Sequence, residues 1–284
     1  MNGNDTEVRI VERKKFVYER PIAVEGLPDI GLVGTIATTF LVEKMNFMEI
    51  GYIESELFPP VMVVHGGHLK NPFRIYGGYI HELAERDHTT GSDEASDTGH
   101  TAEEKTEEEK INIVLIASEI AVPPQAVFPL TRSLAAWLKR INTSLAISLT
   151  GLPVRNRIEI EVPEVFGVGN YDEAVEDIKS RKLEVLEEGF IAGIYASMLR
   201  ECRSNGVKAI SLLTQCFPAY PDPGAAASAL KALDRFIHTS IDTSELLKRA
   251  EEIKLRARDL MKQASIAASQ MQRGAEQDLP IMYR

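Results

Sequence analysis

Gly26 and Gly31 bracket Leu27-Pro28-Asp29-Ile30, the spacing with which a phosphate-binding loop begins. Such a loop needs Lys and then Ser or Thr directly after the second glycine, because the Lys supplies the counter-charge. Leu32 and Val33 stand there instead, so the glycines read as aids to tight strand-to-helix packing. His65 and His68 flank Gly66-Gly67, with His81 further on. An i, i+3 His pair could ligate a metal, yet no Cys or suitably spaced carboxylate completes a set. Glu25, Asp29, Glu54, Glu56 and Glu119 lie near strand ends, but sequence alone pairs none of them for acid–base work. No Gly-x-Ser-x-Gly elbow occurs. Cys202 and Cys216 are far from any CxxC spacing and read as two reduced, buried thiols. The residues point to no catalytic set, no metal and no cofactor.

A recognition signal stands at the C-terminus. Met282, Tyr283 and Arg284 read as hydrophobic, tyrosine, any residue, then a free carboxylate. A pocket can hold such an end through carboxylate capture. Ahead of it, apolar positions fall at Leu246, Ala250, Ile253, Ala257, Leu260, Ala264, Ala267 and Met271, alternating steps of four and three. A helix lying as a lid on its own domain shows a wider stripe at period 3.6; a narrow seam with repeated Ala suits helix–helix contact. We expect a helix over 243–273 that mediates self-association as a coiled coil. Gly274 stops it, leaving residues 274–284 as a tail that could reach about 30–35 Å fully extended. Several tails gathered in one oligomer would bind with raised avidity.

The formal charge of −10 is unevenly spread. Between Glu82 and Lys110 there are 11 acids against 3 bases, a balance of −8, so the rest of the chain carries −2. That insert, about 83–110, is rich in Gly, Ser, Thr and Glu and cannot bury enough apolar surface to fold. Its acidity argues against nucleic-acid binding. The longest apolar stretch, Ile30 to Val42, is too short to span a bilayer, and the polar N-terminus carries no signal-peptide pattern. We expect a cytoplasmic protein with no membrane partner.

These residues must be held by an α/β body over 1–240. Val8 to Glu25 suggests two short strands, Leu32 to Met45 a helix, and Met48–Ile53, Val61–Val64 and Arg74–Ile80 further strands. Ile111–Ala117 reads as a strand buried on both faces. Pro123-Pro124 opens a helix to about Ile141, and Leu145–Leu149 is a strand. Arg157–Phe166 suggests an exposed strand, Glu187–Arg203 a helix, Val207–Leu213 a strand, and Ala225–Ile237 a helix. This alternation predicts a largely parallel sheet covered by helices on both faces. Ligand sites in such folds lie at the C-terminal ends of strands, which places loops 26–34, 118–125, 150–157 and 216–224 along one rim.

Three stretches, Gly26-Leu-Pro-Asp-Ile-Gly-Leu-Val-Gly34, Thr150-Gly-Leu-Pro153 and Phe217-Pro-Ala-Tyr-Pro-Asp-Pro-Gly-Ala-Ala226, resemble in order and spacing the proteasome assembly chaperone family over residues 10–240. The resemblance implies a fold like that of nucleoside phosphorylases and related hydrolases, without a recognised active site. Archaeal members carry a C-terminal helical extension and a hydrophobic-Tyr-X ending, similar to the tails by which activators dock between α-subunits of the core proteasome. Met282, Tyr283 and Arg284 stand at those positions. The insert departs from the family pattern. The leading expectation is a non-enzymatic assembly chaperone or ATP-independent activator whose partners are the proteasome α-ring, itself as a homo-oligomer, and a paralogous chaperone. The alternative is an enzyme or small-ligand-binding protein of phosphorylase/hydrolase type, using the rim.

Overall fold

A run that is apolar at nearly every position, such as Ile111–Ala117, is satisfied by a central strand with helices on both sides. In the computed structural model, which describes residues 8–80 and 110–251, this run is β7 (Lys110–Ser118), buried from Ile111 to Ile116. Beside it in parallel lie β2 (Val17–Gly26), then β8 (Leu145–Pro153), then β11 (Ala209–Cys216). Outside β7 the pairing turns antiparallel, through β6 (Phe73–Gly78), β3 (Met48–Glu54) and β1 (Arg9–Glu12). Beyond β11 come β9 (Val165–Gly169), antiparallel to it, and β10 (Glu184–Val185), parallel to β9. The nine-stranded sheet is therefore mixed, with a parallel centre rather than parallel pairing throughout. β3 reaches β6 through a segment that holds only a hairpin, β4 (Val63–His65) with β5 (His68–Lys70), and no helix of the kind that usually carries a parallel crossover.

Two layers cover the sheet. Helices α2 (Val127–Arg140) and α4 (Gly193–Asn205) lie on one face, where Leu130, Leu134, Tyr195 and Met198 pack over Ala23, Ala146 and Ala209. Helices α1 (Val33–Lys44), α3 (Asp172–Ser180) and α5 (Pro223–Ile237) lie on the other, with Leu41, Ile178, Leu230 and Leu233 over Val24, Ile147, Ile210 and Leu212. A buried aliphatic side chain of this kind contributes about 1.5–3 kcal/mol. A last helix, α6, covers 244–251.

Two elements differ from the sequence reading. The exposed strand expected over Arg157–Phe166 is a 3₁₀ turn at Arg157–Glu159, and β9 starts only at Val165. Pro163 lacks an N–H for a ladder, and Arg157 is drawn inward by an acid described below. The helix expected from Glu187 begins at Gly193, because Gly189 (φ 154°) and Gly193 (φ 72°) hold left-handed backbone. Helix α3 is hidden in the sequence because it buries only Ala174 and Ile178. Among the described residues no helix is long and apolar enough to cross a membrane. Nearly all of the acidic insert lies outside the described residues, its last position, Lys110, opening β7.

Candidate functional site

Strands β7, β2, β8 and β11 run in parallel and end at Ser118, Gly26, Pro153 and Cys216, so their following loops meet at one rim, as expected. The loops are tied to one another. The Tyr195 hydroxyl donates to the Leu27 carbonyl at 2.8 Å, the Asp222 N–H to the Gly31 carbonyl at 2.8 Å, and the Val154 N–H to the Cys216 carbonyl at 3.1 Å. The glycines act by absence of bulk. A Cβ on Gly26 would stand 2.3 Å from the Gly34 carbonyl oxygen, and one on Gly34 2.2 Å from that of Leu149. This is the packing role read from the sequence.

Charged groups at the rim are likewise committed. Arg157 and Asp222, both buried, form a two-pronged ion pair, Nε to Oδ2 at 2.7 Å and Nη2 to Oδ1 at 3.0 Å. A third guanidinium N–H donates to the Ile160 carbonyl at 2.8 Å, and the guanidinium sits 5.1 Å from the centre of the Phe217 ring. Asp222 also accepts from the Phe217 N–H at 3.1 Å and, as N-cap of α5, from the Ala225 N–H at 2.9 Å. Asp29 accepts from the Thr150 hydroxyl. Glu54 pairs with Arg9 at 2.8 Å, Glu119 pairs with Arg74, and Glu56 is exposed.

Glu25 is different. It is buried in the sheet centre, accepts from the Ser148 hydroxyl at 3.1 Å, and its other oxygen has no partner among the described residues. Burial pushes its carboxyl from the ordinary 4.5 up to about 7, against the pull of the Ser148 hydrogen bond. Cys202 and Cys216 are free and buried. Burial, then the charges of Glu25 and Glu201, push the Cys202 thiol up to about 12. Burial, then Asp222 and Asp29, does the same for Cys216, to about 12. Neither offers a thiolate nucleophile near neutral pH. His65 and His68 face each other as the closing pair of the exposed β4–β5 hairpin. A cleft of about 290 Å³ opens beside the rim between Arg157, Phe217, Lys231, Leu247, Ala250 and Glu251.

Of the expected oligomerisation and partner-binding residues, two of the former are described. Leu246 is buried with the face that includes Phe236, and Ala250 lies so near Gly224 that a Cβ there would meet it at 3.3 Å. The first positions of the seam thus touch the chain's own body. Ile253, Ala257, Leu260, Ala264, Ala267, Met271 and the terminal Met282, Tyr283 and Arg284 lie outside the described residues. The Arg157–Asp222 pair was not anticipated. Asp222-Pro223-Gly224 carries the N-cap and N1-proline signal that could have placed the acid, but Arg157 sits where alternating Ile and Glu suggest an outward side chain.

Comparison with known proteins gives consistent relatives. Pyrococcus furiosus PbaA, an archaeal homolog of proteasome-assembly chaperone, superposes with a TM-score of 0.72 at 28% identity, over 98% of this chain and 100% of that one. P. furiosus PbaB, an archaeal proteasome activator, shares the fold at a TM-score of 0.70 and 22% identity, over 90% and 99% of the two chains. An uncharacterized protein of Methanocaldococcus jannaschii is 26% identical over 256 residues, 90% of this chain and 92% of its own. The model of the PAC2 family matches residues 23–261, most of the chain, and the protein belongs to that family.

Proposed function

We propose that this protein is a non-enzymatic binding partner of the core proteasome, an assembly chaperone or ATP-independent activator that docks its C-terminal residues on the α-ring. The observation that carries the reading is the pairing of a PAC2 body, similar throughout its length to an archaeal homolog of proteasome-assembly chaperone, with the terminal Met282-Tyr283-Arg284. Tyr283 would insert its ring between α-subunits, and the Arg284 carboxylate would pair with a lysine there. A helix over 243–273 would gather several copies, so that their tails act together. The rim supports binding over chemistry, because Asp29, Asp222 and Arg157 are already bonded within the protein.

The test is binding to purified core proteasome by surface plasmon resonance, with hydrolysis of a fluorogenic peptide as a second readout. Loss of a charged hydrogen-bond partner costs about 1.5–3 kcal/mol, roughly tenfold or more for each tail. Tyr283→Ala, or one Gly added after Arg284, should weaken binding at least that much, while Gln277→Ala should not. An extended chain that binds as tightly as the native one sinks the tail mechanism. A phosphorylase- or hydrolase-type activity is the second reading, favoured by the raised carboxyl of Glu25 near the strand ends. It requires that deleting residues 282–284 be harmless while a rim substitution is not.

A further inference from the structure

The exposed apolar residues are distributed unevenly. Twelve large hydrophobic side chains are exposed among the described residues, and ten of them sit at the end of the sheet where the parallel strands finish. Ile30 and Leu32 follow β2, Phe128 opens α2 after β7, and Tyr220 lies between β11 and α5. Val162 precedes β9, which begins at this end because it runs antiparallel to β11. Phe190 precedes α4, whose Tyr195 bonds the Leu27 carbonyl. The remaining four belong to residues 61–69, around the hairpin between β3 and β6, and this segment meets the same end because Phe73 pairs with Ser118. Phe190 is wholly exposed, and Val162 is 71% exposed.

A soluble protein seldom gathers its exposed apolar surface at one end without a partner for it. The end is also well prepared for contact. Hydrogen bonds between loops fix the rim, so little ordering would be lost on association. Leu32 holds a left-handed φ of 49°, beside Gly31 at 67°. Bulky residues avoid that region, and such outliers cluster at functional sites.

Charge chooses the occupant. In the segments 27–32, 55–72, 119–126, 154–164, 186–192 and 217–222, seven carboxylates are exposed, one of them (Glu119) paired with Arg74, against one exposed arginine, Arg155; Arg200 lies over the Phe128 ring beside them. Glu159, Glu161 and Glu164 surround Val162, and Glu187 and Glu188 precede Phe190. Nucleic acid and anionic membranes are repelled by such a surface. A second copy meeting this end with the same end would set like charges face to face. We propose that this end of the sheet is a docking face for a different protein, one whose contact surface carries apolar side chains ringed by lysine and arginine. It is built of residues other than the terminal Met282, Tyr283 and Arg284, so the protein would hold two partner surfaces.

The test uses the full chain and three labelled synthetic amphipathic peptides, read by fluorescence anisotropy. Their patterns are Leu/Lys, Leu/Glu and Ser/Lys. The native chain should bind the Leu/Lys peptide and neither of the others. Val162→Asp with Phe190→Asp should weaken that binding at least about tenfold, the effect of removing central apolar anchors. Met48→Asp, at the opposite end of β3, should leave it unchanged. Both rim side chains are exposed, so the double variant should keep the native unfolding midpoint. As an independent variant, Glu159→Lys with Glu161→Lys takes the exposed charge of these segments from −6 (seven carboxylates, one arginine) to −2 (five carboxylates, three cations) and should weaken binding of the Leu/Lys peptide. Equal binding by native and double-variant chains overturns the proposal, as does equal binding of the Ser/Lys peptide. A fall in oligomer mass in the double variant, seen by light scattering, also overturns it, because the face would then be covered by a second copy.

Discussion

Glu25→Gln removes the charge from an acid that the sheet centre holds without a cationic partner. The folded carboxyl titrates at about 7, against an ordinary value of 4.5, a gap of about 2.5 units at about 1.4 kcal/mol each. Because the folded pKa is the higher, the native state binds the proton more tightly than the unfolded chain. Below pH 4.5 both states are protonated and the acid costs no ionisation energy. Between pH 4.5 and 7 the unfolded chain ionises while the native state holds its proton, so stability falls by about 3 kcal/mol and levels off once the native carboxyl ionises above 7. Gln keeps an oxygen for the Ser148 hydroxyl and cannot ionise. Its amide N–H groups add a desolvation cost, but that cost is the same at every pH. The variant should therefore gain about 2–3 kcal/mol relative to native between pH 5 and pH 8, or roughly 5–10 °C in melting temperature for a domain of this size. Urea unfolding followed by the single tryptophan, Trp137, at fixed protein concentration, gives the two differences. A variant-minus-native difference that is the same at both pH values would refute the placement of a charged, unpaired carboxyl in the core.

Arg157→Ala strips the counter-charge from buried Asp222 and should destabilise by about 3–5 kcal/mol in denaturant unfolding. Gly34→Ala drives a methyl group to 2.2 Å from the Leu149 carbonyl; it should prevent close docking of α1 on β8 and lower the unfolding midpoint by more than about 2 kcal/mol. On the proposal that residues 243–273 mediate self-association, Ile253→Asp with Leu260→Asp should yield a smaller particle while leaving the circular dichroism of the body intact, since charge is strongly disfavoured at an apolar helix contact. Unchanged mass in light scattering would remove the seam from the assembly.

The parallel centre of the fold was legible because its strands are nearly uninterrupted apolar runs, as in Ile111–Ala117 and Leu145–Leu149. The common rim followed from that topology. The flank strands β3 and β6 were read near Met48–Ile53 and Arg74–Ile80, but their antiparallel direction was not, because an apolar run does not encode which way a strand pairs; β9, at five residues, is too short for a periodic signal. Helix entry at Gly193 depends on two left-handed glycines whose conformation is a tertiary outcome. The Arg157–Asp222 pair joins residues 65 positions apart, and alternation around Arg157 gave a false outward reading. The glycine loop was read for the right reason: Leu32 and Val33 cannot serve a phosphate, and only close packing remains.

The closed rim follows from one structural fact. In parallel α/β folds, helix N-termini at the strand ends offer N–H groups and partial positive charge to an anion. Here the protein supplies its own anion to α5: the Asp222 carboxylate accepts the Ala225 N–H while Arg157 neutralises it. Leading into α1, the Leu32 N–H donates to the Asp29 carbonyl at 2.9 Å, and the Asp222 N–H closes the loop onto Gly31. An outside phosphate would have to break buried hydrogen bonds and an ion pair to displace these groups, each such bond to a charged group being worth about 1.5–3 kcal/mol. Asp29, Asp222 and Arg157 are used to lock the loops, while Glu25 keeps one oxygen without a partner among the described residues. What a rigid, locked rim can still offer is shape and apolar side chains on its outer surface, the features that the proposed docking face would use.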